Sequence, residues 1–264
     1  MHFSPHEFPD GRIPKRDRHE YLTGYRNHAF NMTYMESHLN KKSFEKTASY
    51  MFNPKAVNRI KSIVPHAKII MLLRDPVERA YSHYKISKWR YTRTKIKTFE
   101  DCIEIDIKLL KWAGVIPKDE NDTLRSLTKE DLDHLDKAWI EYAKLSQIKW
   151  ATCGTIVGRG IYAAQLSLWW KVYNEDERKN QLLVMRSEDL RPDADGHVHL
   201  KNITEFIGVS DKSIKSPKQF HETNDIGPMR NETKVGLRRL YLPLNDALDD
   251  FLGSSWHDPW VWHE

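Results

Sequence analysis

Only two cysteines occur in 264 residues, Cys102 and Cys153, and they form no C-x-x-C pair, so a metal finger is excluded and at most one disulfide can form. Buried free thiols are the equal alternative. Long apolar runs are also missing: the best, residues 67–73, is strand-length, against the about 20 residues that span a bilayer. The first 18 residues hold Pro, His and charge where a signal peptide carries an apolar stretch, so the chain as given reads as soluble, without membrane segment or leader. Net charge is low. Forty-two Lys+Arg against 37 Asp+Glu leave +5 and a pI near 9.0, a bias toward anionic partners that falls short of a nucleic-acid arm, and no nucleic-acid partner is expected. No repeat, low-complexity tract or clear linker is present, and a composition of 39% hydrophobic and 30% charged residues excludes a disordered tail or a rod. One domain over 1–264 is expected, with an irregular segment at 1–42 and the core at 43–264.

From residue 43 the pattern changes to a short strand at 44–49, a helix at 54–64, a strand at 67–73 and a helix at 76–89, the strand–helix alternation of a parallel sheet. Helices follow at 99–112 and 130–147, then at 160–173, a third strand at 181–185, and helices at 200–207 and 234–252 that end at Gly253.

The most informative segment is Lys68-Ile-Ile-Met-Leu-Leu-Arg-Asp-Pro-Val-Glu-Arg-Ala-Tyr-Ser-His-Tyr84. Its apolar run predicts a strand covered on both faces. Asp75 suits the N-cap of the next helix, Pro76 its first position, and Glu78 the third residue of a capping box. A helix N-terminus at the carboxyl end of a parallel strand is where open α/β sheets bind ligands, and its dipole and N–H groups favour anions. Arg74 supplies a guanidinium fork there and Ser82, two turns along, a hydroxyl. The plain alternative is that Asp75, Glu78 and Arg79 only cap and brace the helix, with Arg74 in an ion pair, which explains Asp75 and Glu78 but not Arg74 together with Ser82.

These residues resemble the 3′-phosphate motif of sulfotransferases that use 3′-phosphoadenosine 5′-phosphosulfate (PAPS), above all the Golgi glycosaminoglycan branch. The resemblance implies that Arg74 and Ser82 hold the nucleotide 3′-phosphate. Phe44-Glu-Lys-Thr-Ala-Ser-Tyr50 is similar to the family's E-K-[ST]-P/A-x-Y segment, which makes Lys46, 28 residues before Arg74, the candidate catalytic cation. A strand-end lysine in solvent is the plain alternative. Phe99-Glu-Asp-Cys-Ile103, Gly158-Arg-Gly-Ile-Tyr-Ala-Ala-Gln-Leu166, Leu182-Leu-Val-Met-Arg-Ser-Glu-Asp-Leu190 and Pro228-Met-Arg-Asn-Glu-Thr233 follow the family's order. The implied fold is three-layer α/β/α with a short parallel sheet, as in P-loop nucleotide kinases. Residues 216–227 stand where the family's late loop closes over the nucleotide, which makes Lys218 a phosphate contact, with a solvated surface lysine as the alternative, and Phe220 either a stacking ring or, the reading the composition favours, a core aromatic.

The family opens with a strand and a Lys/Gly/Thr-bearing phosphate loop, and nothing before Lys46 matches it; Gly154–Gly160 lacks the G-x-x-x-x-G-K-[ST] pattern. The N-terminal strand is therefore expected to be missing. Met1-His2-Phe3 resembles the end of the segment that carries the family's base, so His2 is the candidate base, with a disordered terminal residue as the alternative. The expected reaction is sulfuryl transfer from PAPS, without a metal, to a hydroxyl or amine of an anionic, glycosaminoglycan-like carbohydrate. The basic run at 85–97, with Trp89 and Tyr91, would line the path of such a glycan, with a solvated helix end and loop as the equal alternative. Sequons at Asn31, Asn121, Asn202 and Asn231 agree with the Golgi lumen that the resemblance implies. The rival readings are an inactive remnant keeping partial nucleotide or glycan binding, and a P-loop kinase, which the missing Walker A disfavours.

Overall fold

The computed structural model describes residues 37–38, 41–91, 98–118, 129–148, 153, 155–198, 200–210, 214–215, 226–253, 256 and 260. The chain divides into two compact units, Met1–Ala67 and Lys68–Glu264.

In the first unit, residues 41–47 are irregular and run into turns. The strand expected at 44–49 is not formed. Its polar side chains satisfy one another locally, Thr47 and Tyr50 donating their hydroxyls to Glu45 Oε1 at 2.8 and 2.5 Å, and turn bonds follow from Tyr50 N–H to Thr47 O and from Asn53 N–H to Ser49 O. Asn53 then accepts the Lys55 N–H through its side chain (3.0 Å) and leads into helix α1, Ala56–Ile63. Ala56, Val57, Ile60 and Ile63 recur at helical spacing and are buried.

The second unit is built on two parallel strands, β1 (Ile69–Leu73) and β2 (Leu182–Arg186), paired in register from Ile69 opposite Leu182 to Leu73 opposite Arg186. The crossover between them carries α2 (Pro76–Tyr91), α3 (Phe99–Ala113), α4 (Lys129–Ile148), α5 (Tyr162–Val172) and α6 (Glu175–Gln181). After β2 come a 3₁₀ turn (Ser187–Leu190), a two-residue antiparallel ladder of β3 (His197–Val198) with β4 (Ile214–Lys215), and helices α7 (Lys201–Ile207), α8 (Asn231–Asp246) and α9 (Asp249–Leu252). The architecture is an α/β fold rich in helix around a short parallel sheet. Helix α5 is the centre of the core: Tyr162, Ala163, Ala164, Gln165, Leu166, Ser167 and Trp169 are all buried, alongside Trp139 and Tyr142 of α4, Leu109 and Leu110 of α3, and Leu237, Tyr241 and Leu244 of α8. No described helix is long and apolar enough to cross a membrane.

Three expectations change. Strand β1 is not covered on both faces: Met71 and Leu73 are buried but Ile70 and Leu72 are 36% and 51% exposed, so an unbroken apolar run here marks alternate burial. The single helix over 234–252 is two, α8 and α9, parted by a turn at Ala247–Leu248, and Pro243 lies inside α8. Gly160 belongs to a 3₁₀ turn (Gly158–Gly160) that precedes α5 instead of starting it. Helix α6, not expected, carries a complete capping box between Asn174 and Glu177. The cysteine alternatives resolve in favour of a Cys102–Cys153 disulfide with both residues buried.

Candidate functional site

Because β1 and β2 are parallel and in register, the chain leaves both strands at the same edge, and the residues after Leu73 lie beside those after Arg186. Glu188 Oε1 accepts the Asp75 N–H there at 3.1 Å. Asp75 in turn caps α2: its Oδ1 accepts the N–H groups of Val77 (2.8 Å) and Glu78 (3.1 Å), and its carbonyl accepts that of Arg79 (2.8 Å). Pro76 has no N–H to offer. The capping box expected from Glu78 is not made, since Glu188 has taken its place on Asp75 and Glu78 pairs with Lys234 of α8 at 3.6 Å. The first-turn donors of α2 are therefore occupied, and an anion at this helix end has to be held by side chains.

Arg74 and Ser82 are the side chains available. Arg74 is exposed, and among the described residues its guanidinium has no ion pair or hydrogen bond. Ser82 is half-buried on α2, seven residues after Asp75 and so on the same helix face, about 10 Å further along the axis. The main chain of Arg74 is fixed from below by Tyr162, whose hydroxyl donates to Arg74 O at 2.8 Å and lies 3.4 Å from Arg74 N. Beside Ser82, the Tyr81 hydroxyl donates to Gly227 O, and Lys85 Nζ stands 5.3 Å over the Tyr81 ring. That bond ties Gly227 to the turn of α2 that carries Ser82.

A buried polar cluster supports the junction. Gly160 lies so close to α2 that a Cβ would sit 2.8 Å from both Pro76 Cβ and Tyr241 Oη, and a Cβ on Gly158 would overlap the Tyr142 phenol. Asp106, fully buried on the apolar face of α3, accepts the N–H groups of Val157 (2.6 Å) and Gly158 (3.0 Å) on one oxygen and the Tyr142 hydroxyl (2.6 Å) on the other. Burial pushes its carboxyl up to about 6, with those three donors and the Arg79 charge opposing. Arg79 donates to Ile156 O, and Tyr241 donates to Val157 O at 2.7 Å. Burial, with the nearby Arg79 charge, lowers the pKa of Arg159, and burial raises that of Tyr142 well above the usual phenol range.

Of the residues singled out in the sequence, Arg74 stands exposed just after β1 and Ser82 half-buried on α2. Lys46 lies in the first unit, exposed in the irregular stretch. His2, Lys218, Phe220 and most of the basic run at 85–97 lie outside the described residues or their described side chains. Glu188, Tyr162 and Asp106 were not assigned roles from sequence, although the first two stand in the quoted segments ending at Leu190 and Leu166.

Residues 4–224 match the sulfotransferase domain family. The chain belongs to that family. Among curated sulfotransferases, the bifunctional heparan sulfate N-deacetylase/N-sulfotransferase 1 of Caenorhabditis elegans is 32% identical over 113 residues, which are 40% of this chain and 12% of the worm protein. Human carbohydrate sulfotransferase 15 is 26% identical over 206 residues, 74% of this chain and 32% of its own length. A sulfotransferase from Alicyclobacillus acidocaldarius superposes with a TM-score of 0.47 at 18% identity, covering 88% of this chain and 74% of the bacterial one. The chain thus spans about a tenth to a third of the length of these curated sulfotransferases.

Proposed function

We propose that the chain transfers a sulfuryl group from PAPS to a hydroxyl or amine of a glycosaminoglycan-like carbohydrate. The observation that carries this reading is the exposed Arg74 guanidinium at the carboxyl end of β1, without an ion pair among the described residues, on a helix junction that also presents Ser82. A guanidinium fork and a hydroxyl suit a ribose-borne phosphate, and the residues present fit that group. The names of the curated relatives, a heparan sulfate N-sulfotransferase and a carbohydrate sulfotransferase, support a carbohydrate acceptor.

PAPS supplies an activated sulfuryl group on a phosphate leaving group. The chain's part is positioning and charge compensation, as in phosphoryl transfer. Arg74 and Ser82 hold the 3′-phosphate, with Lys218 as a further contact. Lys46 is the cation for charge on the transferring and leaving oxygens, and His2 the base that takes the acceptor proton as the new S–O or S–N bond forms. The Cys102–Cys153 bond and the exposed sequons Asn202 and Asn231 support an oxidising lumen such as the Golgi.

Calorimetry with adenosine 3′,5′-bisphosphate tests the site. Arg74→Ala is expected to weaken binding at least tenfold, because a charged hydrogen bond to phosphate is worth about 1.5–3 kcal/mol. Equal affinity in both proteins rejects the assignment. Transfer of labelled sulfate to a panel of amine- and hydroxyl-bearing glycans then identifies the acceptor.

A further inference from the structure

We propose that Tyr162 is a positioning residue for Arg74: its hydroxyl sets the main chain of that residue, and so the origin of the guanidinium, with Trp260 and Trp256 as its brace. The inference rests on the reading of Arg74 as a ligand of the nucleotide 3′-phosphate.

The last rung of the sheet joins Leu73 to Arg186. One residue later the chain turns into α2, and the N–H and C=O of Arg74 have no strand beside them. A single phenolic oxygen serves both, since a hydroxyl can donate and accept at once: it donates to Arg74 O at 2.8 Å, and the Arg74 N–H faces it at 3.4 Å. This one side chain takes the place of a neighbouring strand for the one residue whose side chain is aimed at the ligand.

The phenol is itself held from two directions. It opens α5, directly after the Gly158–Gly160 turn that packs on Pro76, so its backbone is tied to the residue two positions beyond Arg74. On its other side the ring meets Trp260 (centroids 5.9 Å apart), and Trp260 meets Trp256 edge-on at 5.3 Å. The Trp256 carbonyl accepts from Arg186 Nη1 at 3.3 Å, and Arg186 is the strand partner of Leu73. The contacts close a ring from Arg74 through Tyr162, Trp260, Trp256 and Arg186 to Leu73. Packing alone would be met by a phenylalanine. The hydroxyl is buried, which is costly unless it is bonded, and its hydrogen goes to Arg74.

The test is Tyr162→Phe, which keeps the ring against Trp260 and removes only the oxygen. Affinities for adenosine 3′,5′-bisphosphate and adenosine 5′-monophosphate are measured side by side, because their ratio reports the grip on the 3′-phosphate. The expected result is a fall of about five- to tenfold in that preference with little change for the monophosphate. Trp260→Leu should reduce the preference by a smaller factor. Tyr142→Phe, which removes a different buried hydroxyl, is expected to lower the thermal midpoint while keeping the wild-type preference. The inference is overturned if Tyr162→Phe keeps that preference, or if it weakens both nucleotides in equal proportion. A wild-type protein that does not distinguish the two nucleotides would instead remove the reading of Arg74 on which the inference stands.

Discussion

The carboxylate of Glu188 accepts the main-chain N–H of Asp75 at 3.1 Å across 113 positions of sequence. It joins the 3₁₀ turn after β2 to the cap of α2, so the two strand ends are bolted at the edge where Arg74 emerges. Glu188→Gln keeps an acceptor and is expected to be close to neutral. Glu188→Ala leaves the N–H half-buried without a partner and should cost about 1–3 kcal/mol, read from urea unfolding midpoints at constant slope. Equal stability of the Ala and Gln variants would show that the bond contributes nothing.

The Gly158-Arg159-Gly160 turn allows no side chain. A methyl on Gly158 overlaps the Tyr142 ring inside the core, and one on Gly160 presses on Pro76 and Tyr241, neither of which is a flexible chain end. Both Gly→Ala variants should lose about 1–3 kcal/mol, the range of overpacked cores. Gly227→Ala, with nothing within 4 Å of the added carbon, is the matched control and should unfold like the wild type in the same thermal scan.

Asp106 makes stability depend on pH. Its carboxyl is raised to about 6 in the folded protein from 3.8, so the folded state binds a proton that the unfolded state has released. The contribution is favourable below pH 4, shrinks as pH rises from 4 to 6, and above 6 the ionised carboxylate costs the fold about 3 kcal/mol. Asp106→Asn, whose amide oxygen can accept from Val157 and Gly158 while its NH₂ donates to Tyr142, should abolish that slope between pH 4 and 6. Unfolding curves across that window with the same slope in both proteins would refute the assignment.

The Cys102–Cys153 bond ties α3 to the loop whose N–H groups Asp106 holds, closing a loop of 51 residues. Chain-entropy arguments give roughly 4 kcal/mol for such a closure, and native disulfides deliver about 2–5. The Cys102→Ala/Cys153→Ala double variant should be destabilised within that range. Alkylation of the unreduced, denatured protein should label neither cysteine; labelling of both would remove the bond.

What could be read from the sequence was local. Residues 69–73 announce a strand by their apolar run, and Asp75-Pro76 announces a helix start through cap and first-turn chemistry, each within a few positions. Asn174 and Glu177 give an equally local signal for α6. Asp106 reads as one more solvated acid on a helix, because only the loop 50 residues away turns it into a buried acceptor. Glu188 and Tyr162 were hidden for the same reason, their partners lying 113 and 88 positions off. No strand forms at 44–49, where the Thr47 and Tyr50 hydroxyls find Glu45 close at hand.

Asp75 has a consequence for how this protein meets its ligand. By consuming the first-turn amides of α2 it leaves no preformed oxyanion cradle of main-chain dipoles at the junction, and the grip falls to a guanidinium that stands in water. Attraction of that kind is screened within about 8 Å at physiological ionic strength. On the proposed reading of Arg74, nucleotide retention should fade steeply as electrolyte is added, more as on an ion exchanger than in a sealed pocket.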